Sequence, residues 1–361
     1  MRVTELRLYQ YRNYKQLVLQ PDTGLCVLTG LNAAGKTNIL ESVFLCALGR
    51  SHRTVHDNEL IEQNCDEGMV ALKISTRLGE REIRIELRQR ERKRVYLDGQ
   101  LLQKSGELMG ALNVVLFSPE DLSLVKDGPA ERRRFLDMEL SQLQPSYYYT
   151  IQQYNAALKQ RNILLKDPDV LQNETLEMWD AQLSRLGASI TKSRAAFIEE
   201  LSKVARNLHA KMSGGKEELV VSYQPNLPAA DTEAMRDALL DNLERDVYRG
   251  NTSVGPHKDD IMLMLGGMDV RSYGSQGQQR TTALSLKLSE IDILRRVRNE
   301  TPVLLLDDVF SELDAERQTM LLQVVGECQT IVTCTHLEEL TKAGVEQMQV
   351  YSVNNGKVTE V

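Results

Sequence analysis

Gly30-Leu31-Asn32-Ala33-Ala34-Gly35-Lys36-Thr37 is a complete match to the phosphate-binding pattern G-x-x-x-x-G-K-[ST], and its reading decides the fold. The glycines let backbone N–H groups turn inward around phosphate oxygens. Lys36 supplies a cation for the β- and γ-phosphates, and Thr37 offers its hydroxyl to Mg²⁺. The flanks give the motif its context. Residues 25–29 are an apolar run that reads as a buried strand, and residues 38–48 carry apolar side chains at helical spacing. Strand, loop and helix in that order aim a helix N-terminus at a bound anion. The expected ligand is a nucleoside triphosphate.

Length and charge bound what else the chain does. With 361 residues there is enough chain for two domains. Lys plus Arg is 44 and Asp plus Glu is 51, a formal charge of −7, so a nucleic acid would have to be held by a local basic patch. Cys26, Cys46, Cys65, Cys328 and Cys334 are scattered and form no C-x-x-C pair, which fits reduced thiols in a cytoplasmic protein. The opening MRVTELRLYQYRNY alternates like a strand and has no signal-peptide core, and no apolar run reaches the length of a membrane span. A cytoplasmic protein without a membrane partner is expected.

Along the chain, residues 1–19 read as two strands around the turn Arg12-Asn13-Tyr14. After the phosphate loop and its helix comes Arg50-Ser51-His52-Arg53-Thr54, where Arg53 is either a phosphate contact or a solvated loop arginine. Residues 69–102 show period two and end in the hairpin signal Asp98-Gly99. Arg88, Arg90, Arg92, Lys93 and Arg94 there are either a solvated edge or a phosphate-contact patch. Helical periodicity then dominates from Pro129 to Met212, with a break at Asp167-Pro168-Asp169. These long helices have polar outer faces and read as an antiparallel arm. The expected organisation is a head in two parts, residues 1–120 and 246–361, with the arm, residues 121–245, inserted between them.

A phosphate loop alone fits kinases, GTPases and transport ATPases, and the distal motifs separate them. Asp307 ends the apolar run Val303-Leu304-Leu305-Leu306 and is suited to orient Mg²⁺ together with Thr37. Asp308 beside it is suited to align or deprotonate an attacking water. Ser275-Gln276-Gly277-Gln278 resembles the S-G-G-Q signature of ABC-type ATPases, with Gln276 where that core has glycine. Ser311-Glu312-Leu313-Asp314 resembles their D-loop, and His336 their switch histidine. The fold class is therefore α/β, an ABC-type ATPase head with a mixed sheet and a P-loop, interrupted by a helical arm domain. A metabolic P-loop kinase would lack the signature, a transporter subunit would not need the arm, and a structural SMC-type protein would carry a longer one.

Four segments make the resemblance specific: the phosphate loop with residues 49–54, PEDLSLVKDGPAERRRFLD (residues 119–137), Gly255-Pro256-His257-Lys258-Asp259-Asp260, and LLLDDVFSELDAERQ (residues 304–318). Over essentially its whole length the chain resembles the RecF family of bacterial recombinational repair proteins. The resemblance implies a weakly hydrolysing, ATP- and Mg²⁺-dependent DNA-binding homodimer. It would work with RecR and RecO to load RecA at single-strand gaps and their duplex junctions, with links to replication and the SOS response. By that resemblance Gly30, Leu31, Asn32, Ala33, Ala34, Gly35, Lys36 and Thr37 bind nucleotide in one subunit and Ser275, Gly277 and Gln278 do so from the other. Arg12, Asn13 and Tyr14 would line the adenine side, Lys36, Asp308 and His336 would act in hydrolysis, and Thr37 and Asp307 would hold the metal. Arg132, Arg133 and Arg134 join the Arg88 to Arg94 cluster as DNA candidates, the alternative for them being acids at the head–arm junction.

Overall fold

The computed structural model describes residues 1–361 except 22–23, 168–174, 229–230, 343 and 346, and the side chains of 312, 315, 316, 324, 339 and 342. The expected helix break at Pro168-Asp169 lies outside the described residues. The chain divides into two compact units, Met1–Asp121 with Leu286–Val361, and Leu122–Ser285.

In the first unit, β1 (Arg2–Tyr11), β2 (Tyr14–Leu19), β4 (Glu67–Thr76), β5 (Gly79–Arg88), β6 (Arg94–Leu97) and β7 (Gln100–Leu101) form an antiparallel sheet in the order β2-β1-β4-β5-β6-β7. The period-two reading of β5 holds, with Ile83, Ile85 and Leu87 buried and Arg84, Glu86 and Arg88 half-buried. Leu97 pairs with Gln100, so Asp98 and Gly99, both at positive φ, make the two-residue hairpin that this dipeptide favours. Arg12 sits at φ 53 in the tight turn between β1 and β2, where Tyr11 pairs with Tyr14.

The second sheet of this unit combines β3 (Leu25–Thr29), β8 (Val114–Phe117), β12 (Val303–Asp307), β13 (Thr330–Cys334), β14 (Gln349–Asn354) and β15 (Lys357–Glu360) in the order β15-β14-β3-β13-β12-β8. All pairings are parallel except β14 with β15. Strands covered on both faces read as continuous apolar runs, as in Val303-Leu304-Leu305-Leu306, which is fully buried. Helix α1 (Lys36–Leu48) buries Ile39, Leu40, Val43, Phe44 and Leu45. The parallel strands β3, β12 and β13 end, in chain direction, at Thr29, Asp307 and Cys334, so their C-terminal ends deliver the phosphate loop, the two aspartates and His336 to one edge.

The second unit contains α2 (Ser123–Lys126), α3 (Pro129–Leu143), α4 (Pro145–Leu164) and α5 (Thr175–Met212), the last spanning about 57 Å at the usual rise per residue. It is not purely helical. A sheet of β9 (Leu219–Gln224), β10 (Asp260–Leu265) and β11 (Met268–Asp269), in the order β11-β10-β9, buries Leu219, Val221, Ile261, Leu263 and Leu265. Helices α6 (Thr232–Asp241) and α7 (Leu243–Arg249) connect β9 to β10, and α8 (Val270–Tyr273) follows β11. Because β10 is zipped to β9 along its whole length, this unit runs to Ser285 rather than to the expected residue 245. The division falls within α9 (Gln276–Arg298). After it, α10 (Ala315–Val325) and α11 (Glu338–Lys342) belong to the first unit.

Buried ion pairs fasten the second unit internally. The Arg194 guanidinium, 1% exposed, donates to Asp137 Oδ1 at 2.8 Å, Asp259 Oδ2 at 3.0 Å and the Pro256 carbonyl at 2.6 Å. Arg161, fully buried, bridges Asp180 and Asp246. Charges this deep persist only when hydrogen-bonded partners replace water. The Gly255 to Asp260 segment is thus built into the unit's interior: Tyr154 and the Thr252 carbonyl hold the His257 ring, and burial lowers its pKa to about 4, so it stays neutral.

Candidate functional site

The phosphate loop closes on itself through Lys36, whose Nζ donates to the carbonyls of Gly30 at 2.6 Å and Leu31 at 2.9 Å. Its backbone needs glycine at two places. A Cβ on Gly30 (φ 154) would stand 2.2 Å from the Val353 carbonyl oxygen, and one on Gly35 (φ 112) would stand 2.4 Å from Asn13 Nδ2. Helix α1 begins after Gly35 with no side-chain cap and no acidic residue in its first turn, which leaves its positive end to an anion.

Across from the loop, Thr37 Oγ1 donates to Asp307 Oδ1 at 2.9 Å, and Thr333 Oγ1 donates to the same oxygen at 2.7 Å. A hydroxyl and a carboxylate so close are hard oxygen donors that suit Mg²⁺, which takes few protein ligands and keeps water and phosphate for the rest. Asp308 follows in a left-handed conformation, φ 51, with its N–H on Thr333 Oγ1 at 3.0 Å. Its Oδ1 is buried without a hydrogen-bond partner. Burial pushes the Asp308 carboxyl above the usual carboxylate range, against the pull of Lys36 and with a further push from Asp307. A strained backbone carrying an unsatisfied carboxylate oxygen is costly and marks a place where function outweighs stability.

Asn32 to Asn38, Arg53, Asp307, Asp308 and Thr333 line a cavity of about 360 Å³. The structure therefore brings together most of the loop and both aspartates. Gly30 and Leu31 contribute their carbonyls to Lys36 instead. His336 is exposed just after β13, next to Thr335, whose hydroxyl lies 3.5 Å from Asn32 Oδ1. Arg53, the loop arginine, reaches the cavity, with NH1 on Asn38 Oδ1 at 2.9 Å.

The turn expected on the adenine side grips the loop from behind. Asn13 Nδ2 donates to the Ala34 carbonyl at 3.0 Å, Asn13 Oδ1 accepts from Asn38 at 2.8 Å, and the Tyr14 hydroxyl donates to the Gly35 carbonyl at 3.0 Å. Arg12 does not line the cavity. It forms a two-pronged ion pair with the fully buried Glu41, at 2.8 and 2.6 Å. Burial alone would raise the Glu41 carboxyl, but hydrogen bonds from Arg12 and Ser51 hold it below its usual range. Sequence reasoning missed Glu41 and Thr333. A charge inside the apolar helix run Ile39-Leu40-Glu41-Ser42-Val43 was the available signal for the first, whereas Thr333 needs the pairing of β12 with β13 to be placed opposite Asp307.

In the second unit, Ser275 and Gln278 form a reciprocal cap on α9: the Ser275 N–H donates to Gln278 Oε1 at 2.8 Å, and Ser275 Oγ accepts from the Gln278 N–H at 3.3 Å. Gln278 Nε2 also donates to Glu217 at 2.7 Å, while Ser275 and Gln276 are exposed and Gly277 is half-buried. The signature thus presents the N-terminus of a 23-residue helix to solvent.

The basic candidates divide. Arg88 and Arg94 both pair with Glu91 at 3.3 Å and Lys93 pairs with Asp57 at 2.8 Å, while Arg90 and Arg92 in the β5–β6 turn are exposed, as is the paired Arg94. Arg132 is a correction. It is 4% exposed, locked on both Asp260 oxygens and on the carbonyls of Leu124 and Asp127, so it has no surface to offer DNA. Half-buried Arg133 donates to the Asp259 carbonyl at 2.7 Å.

A family model for the RecF/RecN/SMC N-terminal domain matches residues 2–359. A DNA replication and repair protein RecF of Clostridium acetobutylicum is 42% identical over 362 residues, covering 100% of both chains. The chain belongs to the RecF family. A recombination mediator protein RecF of the RecFOR pathway, solved with ATP, superposes with a TM-score of 0.92 at 33% identity, over 99% of this chain and 97% of that one. The SMC head domain of Pyrococcus furiosus, at 17% identity and a TM-score of 0.58 over 99% of this chain and 96% of that one, shares the fold. This RecF-family chain is thus built as an ABC-type ATPase head of the SMC branch, and among its described residues no helix is long and apolar enough to cross a membrane.

Proposed function

We propose that the chain is an ATP-gated DNA clamp of recombinational repair, a homodimer that acts with RecR and RecO to promote RecA loading at single-strand gaps. The ATP gate rests on the phosphate site, where Asp308 Oδ1 is unpartnered in a cavity that also holds Lys36 and the Thr37–Asp307 pair, and the repair role rests on the likeness to RecF proteins, one of them of the RecFOR pathway.

On ATP binding, Lys36 exchanges the Gly30 and Leu31 carbonyls for the β- and γ-phosphates, and the N–H groups of the loop and α1 take the remaining phosphate oxygens. Thr37 and Asp307 would hold Mg²⁺, which would neutralise phosphate charge. Asp308 accepts the proton of the attacking water. Its side chain is one methylene shorter than the glutamate common at this position in ABC ATPases, consistent with slow turnover. The cap of exposed Ser275 with half-buried Gly277 and Gln278 in one protomer closes over the γ-phosphate held by its partner, so ATP is part of the interface and its hydrolysis opens the dimer. DNA lies along phosphate-directed arginines without base readout, with the exposed Arg90 and Arg92 as candidates. The Ser275→Ala chain tests the in-trans assignment. It should bind MgATP as a monomer while failing to dimerise by light scattering. Loss of both activities together would place Ser275 elsewhere.

A further inference from the structure

Glu41 stands between two arginines of very different fate. Arg12 covers its carboxylate with Nε on Oε2 at 2.8 Å and NH2 on Oε1 at 2.6 Å. Ser51 Oγ donates to Oε1 at 2.6 Å and accepts the N–H groups of Arg53 at 2.9 Å and Thr54 at 3.1 Å, which fixes the loop that carries Arg53. The Arg53 guanidinium itself stops 3.8 Å from Glu41 Oε2, beyond hydrogen-bond reach, and lies in the phosphate cavity with NH1 on Asn38. Glu41 is fully buried, whereas the Arg53 side chain is 41% exposed.

We infer that Arg12 keeps Arg53 available to phosphate by saturating Glu41, and that Glu41 is a latent competitor which captures Arg53 when Arg12 is absent. The charges make the case. Glu41, Arg12 and Arg53 together carry one positive charge, and the two-pronged pair spends Arg12 on Glu41, so the surplus rests on Arg53 at the cavity. Without Arg12, a buried carboxylate with only the hydroxyls of Ser51 and the neighbouring buried Tyr11 to serve it is left beside a cation 3.8 Å away. Leaving such a charge unpaired costs far more than a side-chain rotation, so the guanidinium turns inward. The cavity then loses a full positive charge facing the phosphates. Arg12 is in this sense a positioning residue for nucleotide binding, acting through Glu41. The inference rests on the phosphate site described above.

MgATP affinity measured by calorimetry on the full chain tests this with four variants. Arg53→Ala should weaken binding roughly tenfold or more, the usual loss for a charge-assisted contact. Arg12→Gln should weaken it to a similar extent, and Arg12→Gln/Arg53→Ala should be no weaker than either single variant. Arg12→Gln/Glu41→Gln, which removes the competitor, should recover affinity to within about threefold of the parent. A bracing role for Arg12 alone predicts no recovery, and a double variant that stays weak overturns the inference. If Arg12→Gln does not fold by circular dichroism, the charge-neutral pair still decides: adding Arg53→Ala to it must cost about the same tenfold as in the parent. Arg53→Ala without effect would likewise sink it, whereas undiminished binding by Lys36→Ala would instead refute the phosphate-loop site itself.

Discussion

Replacing Asp308 by Asn separates ATP capture from ATP hydrolysis. Asparagine tolerates the left-handed backbone at φ 51 and keeps the side-chain shape, so the loop between β12 and α10 should hold its path. What disappears is a proton acceptor whose Oδ1 is buried and unpartnered, with no other group bonded to it that would take over. Loss of a positioned general base slows turnover by roughly 10²–10⁴-fold, about 3–5 kcal/mol on the barrier. MgATP affinity should hold or tighten, because a carboxylate near the phosphates has been neutralised. Stability follows the same charge. The folded-state pKa of Asp308 is raised, so its ionised form is a burden at neutral pH that fades as pH falls through that raised value. The variant should therefore melt no lower than the parent at pH 7, with any advantage shrinking on acidification. Single-turnover phosphate release and a MgATP titration on the same sample check this. Turnover within threefold of the parent, or loss of ATP binding together with turnover, would refute the role of Asp308 as base.

Other substitutions probe the remaining parts. Gly35→Ala forces a Cβ to 2.4 Å from Asn13 Nδ2 at φ 112, and should abolish MgATP binding in calorimetry while costing roughly 1–3 kcal/mol of stability. Arg90→Glu/Arg92→Glu should weaken duplex binding and lower the salt slope of log K by about 2, at some 0.9 per phosphate contact. Arg132→Ala should leave that slope alone and cost about 1–3 kcal/mol in denaturant unfolding, because it removes the hydrogen bonds of a buried guanidinium to a half-buried Asp260 and two carbonyls. His257 is neutral when folded and titrates near its ordinary value when unfolded, so its contribution is present above pH 6.5 and lost as pH falls toward about 4. That loss amounts to roughly 3 kcal/mol, at 1.36 kcal/mol per pH unit, and His257→Gln should flatten the acid limb of the unfolding curve.

The phosphate loop was legible because its chemistry is local: the glycines, Lys36 and Thr37 sit within eight residues, and an apolar strand precedes them. Asp307 was legible for a similar reason, as an acid ending a fully buried strand. Residues whose partners are distant in sequence were not. Arg12 meets Glu41 29 positions away and Arg132 meets Asp260 128 positions away, so Arg12 read as an adenine-side residue and Arg132 as a DNA contact or an ion-pair partner until the fold supplied each carboxylate. Thr333 is the second threonine of the short strand Thr330–Cys334, and only the parallel register of β12 and β13 sets it against Asp307. The end of the second unit escaped because the long helices of residues 129–212 dominate the pattern, while β10 belongs to that unit through pairing with β9 across two intervening helices.

Sedimentation of the full chain tests the clamp most directly, run with and without MgATP in the presence of a gapped duplex. The account predicts a monomer without ATP, and with ATP a dimer that cosediments with the DNA. A chain that stays monomeric with ATP and DNA, or that dimerises equally without nucleotide, would contradict it.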